Sequence, residues 1–237
     1  MAVEDVALEQ ATFEITQTHR TLVNARHLVD ELHQTVRSAS NYLDETELDA
    51  AKAQLAEPGR RERFMEAALD GLQHVSARCR SGVEVSADLV DVVGKANRHL
   101  DQATRLAGSH PDGARYLTPQ LEALRDLLEV TEPIARAAFT HLNTAHDVAT
   151  GAGVTDAVVN RDAFRLQQRV TTVGHEVSRA DEDVRLAEVA VDHVHGAASR
   201  TANLALEIND TARSRLTAEQ QRATGAGPAG GSYAPGR

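Results

Sequence analysis

Apolar residues recur along the first fifty positions at a spacing that belongs to one kind of element. Leu8, Ile15, Leu22, Val29, Val36 and Leu43 are each seven apart, and Ala11, Thr18, Ala25, Leu32 and Ala39 fill the position three residues later. Alternating steps of three and four put these side chains on one stripe of an α-helix. Sustained over five heptads, the pattern predicts a helix packed in the manner of a coiled coil. The stripe weakens at Ser38-Ala39-Ser40-Asn41, where Asp44 and Glu47 resemble a capping pair and Leu48 and Leu55 follow in a shifted phase. The pattern predicts helix over about 4–40, a break near 40–44, and a continuation over 44–56 that ends at Glu57-Pro58-Gly59.

Three more long segments follow. The second helix is expected over 60–107. One stripe carries Met65, Leu72, Cys79, Ser86, Val93 and Leu100, and a second carries Leu69, Ser76, Val83, Val90, Asn97 and Thr104. Gly71, Gly82 and Gly94 interrupt it, each costing about 1 kcal/mol relative to alanine unless close contact or a bend requires it. Gly108-Ser-His-Pro-Asp-Gly113 reads as a loop. Thr118-Pro119 reads as a cap followed by proline at the first helical position, opening a third helix over 118–149 whose face holds Leu121, Leu124 and Leu128. Pro133 should kink or restart it.

The last helix is expected over 156–222. Val170, Val177, Val184, Val191 and Ala198 form one stripe, and Val173, Ala180, Val194, Thr201 and Ile208 form the other. At ~1.5 Å per residue it would span about 100 Å, so it should project beyond its partners or bend at Gly174 or Gly196. Residues 225–237, rich in Gly, Pro and Ala, read as a disordered tail. The expectation is an all-α protein of one domain over 1–224, an elongated antiparallel bundle of four long helical segments with coiled-coil-like heptad packing.

Composition narrows the function classes. Aromatic residues make up 3% of the 237 residues, with no Trp. The core must therefore be built from Ala, Val and Leu, which suits slim, closely spaced helices. The formal net charge is −10, which argues against binding nucleic acid or an anionic membrane surface. Residues 1–57 hold 11 acidic and 4 basic side chains, so the first helix is the most acidic part. No apolar run is long enough for membrane insertion. The opening MAVEDVALE lacks a basic region followed by an apolar stretch, so a standard signal peptide is not expected and the cytoplasm is the expected location. Cys79 is the lone cysteine. The preference for Arg over Lys, with abundant Ala, Val and Gly, suggests a GC-rich, bacterial coding genome.

Candidate chemistry centres on histidine. Val191-Asp192-His193-Val194-His195-Gly196 places two imidazoles and a carboxylate within four residues. In the phase of Val191 and Val194, however, His193 and His195 sit about 200° apart on the outer face, so they share no ligand. Asp30 and His33, and Asp70 and His74, have better helical spacing, and His19 and His27 lie on the first helix with His33. A di-iron carboxylate bundle would need two Glu-Xaa-Xaa-His motifs, and the chain has none. Cys79 occupies a core position as a small hydrophobe. Neither a phosphate-binding glycine loop nor a nucleophile elbow occurs. Arg60-Arg61-Glu62-Arg63 sets positive charge at a helix start, against the macrodipole. Polar residues on the core stripes, Thr18, Ser76, Ser86, Asn97, Thr104 and Thr201, lower stability but set register and partner choice.

These readings assign no catalytic residue, cofactor or metal. They point to a non-catalytic scaffold or interaction protein that acts by helix packing on a protein partner, a second copy of itself included. The alternative is a helical protein exported without a standard signal by a specialised secretion system. Such chains often carry a Trp-Xaa-Gly turn, which this one lacks. A metal-binding bundle enzyme is the third and weakest reading.

Overall fold

The computed structural model describes residues 3–225, with side chains placed for 6–222. Within them the chain forms α1 (Val3–Leu55), α2 (Pro58–Gly108), a π-helical turn (Gly113–Leu117), α3 (Thr118–Thr150), the short α4 (Ala152–Val159) and α5 (Ala163–Gly225). No strand occurs among the described residues. α1 packs on α2 and α5, and α3 packs on the same two helices, while the α2–α5 diagonal is sparsely filled. Cross-links such as Glu9 to Arg213 and His33 to Glu188 fix α1 and α5 antiparallel. The molecule is an all-α bundle of four long helices. No helix among the described residues is long and apolar enough to cross a membrane.

α1 contains no break. Its buried positions run on in the same phase from Ala39 and Leu43 through Thr46, Ala50 and Ala53. Leu48 and Leu55, expected to start a new phase, are 56% and 89% exposed. Asp44 and Glu47 therefore lie inside a helix. Glu57 terminates α1 and opens α2, its carbonyl accepting the N–H groups of Arg60 and Arg61. Pro58 occupies the first turn, where no amide donor is needed.

On α2, Met65, Leu72, Cys79, Ser86, Val93 and Leu100 are buried. The second buried stripe lies one residue earlier than expected, at Ala68, Val75, Gly82, Leu89, Ala96 and Ala103. Val83 and Val90 are only partly buried at its edge, as is Ile208 on α5. The reason is geometric. A helix in a four-helix ring has two neighbours, so its apolar band is wider than a two-position seam. Val83 and Val90 share with Ser76 the flank that looks toward α3. The other core-facing residues named above on α1, α3 and α5, from Leu8 and Ile15 to Val191 and Val194, are buried.

Two close approaches explain glycines that cost helix propensity. A Cβ at Gly71 would lie 2.1 Å from Thr46 Oγ1, so bare backbone lets α1 and α2 close together there. At Gly113 a Cβ would meet the Ala107 carbonyl oxygen at 2.5 Å, which only glycine tolerates inside the π turn. That turn runs directly into α3. Thr118 therefore has helical dihedrals and is not a cap, and the N-cap position falls to Leu117. Pro133 lies inside α3 on its exposed face without ending the helix.

The last segment departs most from expectation. The stretch around Val158 is not the start of the long helix but the end of α4. Arg161 takes a left-handed φ of 53°, and Asp162 Oδ1 then accepts the N–H of Arg165, capping α5. α5 passes unbroken through Gly174 and Gly196. Its 63 residues face an α1 of 53 residues, so the expected overhang is small. The expected tail 225–237 lies outside the described residues beyond Gly225.

Candidate functional site

Several histidines lie at helix flanks, where His19, His33, His74, His99, His141 and His146 each meet a residue of another helix. His195 does not look into solvent. Its ring stacks on His19 of α1, centroids 5.0 Å apart and planes inclined by 27°. Asp192, one turn earlier, forms an ion pair with Arg26 of α1, Oδ1 to Nε at 2.9 Å. His193 is exposed, as is Asp192. Burial and the facing imidazole of His195 hold the pKa of His19 below the ordinary histidine value.

The same α1–α5 seam joins His33 Nδ1 to Glu188 Oε2 at 3.3 Å, in preference to Asp30 on its own helix. Asp70 reaches His74 only at 3.7 Å on the surface, and the His74 ring instead stacks on Tyr42. His27 is exposed. His99 Nδ1 meets Glu14 Oε2 at 2.7 Å across α1 and α2, which gives the acidic first helix a partner.

Across α3 and α5, His141 lies between Glu176 (2.7 Å) and Asp183 (3.7 Å). Asp183 Oδ2 is buried with no hydrogen-bond partner. Desolvation pushes its pKa up, opposed by His141 and reinforced by Glu182. Sequence reasoning missed these pairs because the partners lie on different helices, 35 residues apart for His141 and Glu176 and 155 for His33 and Glu188.

The basic knot has a structural role. Arg61 Nη2 donates to the Ala56 carbonyl at 3.3 Å. Because α1 and α2 are antiparallel, the start of one helix adjoins the end of the other, and a cation there complements the dipole of α1. Arg161 bonds Glu62 at 2.8 Å. Cys79 is completely buried, and burial pushes its thiol pKa up to about 12, leaving it protonated and inert. Among the described residues no group of three or more His, Cys, Asp and Glu is placed to hold a metal ion.

Of the core hydroxyls, Thr18, Thr104 and Thr201 donate to carbonyls four residues back. Asn97 is half-buried. Ser76 behaves differently, its Oγ lying 2.9 Å from His146 Nδ1 on α3. That pair stands at the inner edge of a cleft of about 440 Å³ between α2, the end of α3 and α4. Leu69, Ala77, Ala149 and Val154 give the cleft apolar walls, and Arg80 and His146 stand among its polar groups. It is the irregular corner of the molecule, where α3 gives way to α4 and Arg161 turns the chain back. A Ser–His contact supplies one half of a nucleophile arrangement, but Ser76 is 5% exposed, so the pair's evident effect is to orient the ring.

No protein-family model matches the chain, and no curated protein matches it.

Proposed function

We propose that this chain is a non-catalytic helical scaffold, acting through coiled-coil-like helix packing on a protein partner, a second copy of itself included. The observation that carries the reading is a group of outward apolar side chains on a bundle whose interior is already filled. Val130 and Leu127 on α3 are 60% and 38% exposed, and Val189 and Leu186 on α5 are 56% and 51% exposed. The register set by His141 between Glu176 and Asp183 brings Val130 to about the level of Val189. We read these four outward side chains, on neighbouring helices at similar levels, as one apolar strip. The steps of three and four that space the buried residues support helix-on-helix contact as the means of recognition.

The test is the mass in solution by sedimentation of the wild-type chain and of a V130E/V189E variant. Self-association lost in the variant supports the reading. So does a defined complex, recovered from native-host extract, that depends on both valines. A wild-type chain that sediments as a compact monomer and recovers no partner overturns it.

A further inference from the structure

We propose that the cleft between α2, α3 and α4 binds a small amphipathic carboxylate, with its aliphatic chain against Leu69, Ala77, Ala149 and Val154 and its carboxylate held by Arg80 and His146. The first support is charge. The chain carries 35 acidic side chains, yet none lines this cleft. Depressions elsewhere on the bundle hold Glu9 and Glu14, Asp181, or Asp112 and Glu207. One larger depression beside Phe164 is also free of acids, but it lacks aliphatic walls, and the guanidinium of its Arg169 is packed against the backbone of Gly153.

The second support is donor geometry. Arg80 Nε lies 3.7 Å from Glu84 Oε1, beyond hydrogen-bond range, and both side chains are 71% exposed. A carboxylate in the cleft offers the guanidinium a shorter, charge-assisted partner. His146 Nδ1 is occupied by Ser76, through Oγ at 2.9 Å and the carbonyl at 3.2 Å. The carbonyl can only accept and so favours the Nδ1–H form, whereas the Ser76 hydroxyl can donate to a bare Nδ1, which puts the proton of the neutral ring on Nε2, the nitrogen left to face a ligand. Carboxylate binding selects that tautomer.

The third support is shape. A volume of about 440 Å³ falls within the range of small-molecule sites, which are mostly apolar with a few placed polar groups. Inorganic phosphate would leave the four aliphatic side chains without a role.

The experiment is a titration of the full chain with sodium octanoate, read by calorimetry and by amide and imidazole nitrogen NMR. The expected result is saturable binding at one site. Shifts should concentrate at Ser76, Arg80, His146 and Val154, and His146 should move toward the Nε2–H form. R80Q, an exposed change whose fold circular dichroism can verify, should weaken binding about tenfold or more. Octylammonium at equal concentration should bind at least as much more weakly. Absence of saturable binding overturns the proposal, as does equal affinity in R80Q or shifts centred elsewhere on the bundle. None of these outcomes bears on the α3–α5 strip, so the scaffold reading stands or falls separately.

Discussion

Replacing Ser86 by alanine should make this protein more stable. Ser86 is fully buried on the core stripe of α2, and its Oγ has no hydrogen-bond partner. A buried hydroxyl without a partner costs about 1–3 kcal/mol. Alanine removes that cost and is better in a helix by about 0.5 kcal/mol. The opposing loss is the dispersion contact of one oxygen atom, a few pairs at about 0.1–0.2 kcal/mol each. The balance favours Ser86→Ala by about 1–3 kcal/mol. Urea unfolding followed by far-ultraviolet circular dichroism should move to a higher midpoint with an unchanged slope. Ser76→Ala is the internal control. It takes the hydroxyl partner from His146 Nδ1 and leaves the Ser76 carbonyl, and should cost about 1 kcal/mol. Loss of stability in Ser86→Ala would refute the reasoning, because it would mean that the hydroxyl has a partner in solution, the Gly82 carbonyl one turn back being the nearest kind.

Two further outcomes follow from protonation. Because burial and His195 lower the His19 pKa, the unfolded chain takes up this proton first as pH falls. Stability from this group is therefore present above about 6.5 and is lost on acidification until the lower folded value is passed. His19→Gln should lose less stability than wild type between about pH 7 and about pH 5, measured as the difference between two denaturation series; parallel curves would count against the stacked pair. Cys79, with its thiol pushed up to about 12, should react with a disulfide reagent only at the rate of global unfolding, and rapid labelling of the native chain would contradict its burial.

The helical elements were largely legible in the chain itself. Steps of three and four named the buried face of α1, α3 and α5, because a single helix's rotation about its own axis follows from its own apolar residues. Pro58 and Gly59 marked the first turn for the same local reason. Errors arose where two local signals competed. Leu48 and Leu55 outweighed the small residues Thr46, Ala50 and Ala53, although packing against α2 favours small side chains where Gly71 comes close to Thr46. The apolar run before Asn160 concealed the cap at Asp162. The second stripe of α2 was shifted by one because flanking valines toward α3 resemble core residues in sequence.

The functional groups were legible only as residue types. A heptad says which side of a helix is wet, but it contains no term for how far an antiparallel neighbour is slid along it. That slide decides that His195 stacks on His19, that Glu14 meets His99, and that Ser76 turns the His146 ring toward a cleft without carboxylates. What the sequence determined by itself is four amphipathic helices and their inward faces, since these are set by contacts within about four residues. What the tertiary structure decided is every pairing across their flanks, since those contacts join residues far apart in the chain, 204 positions for Glu9 and Arg213, and depend on the register of whole helices.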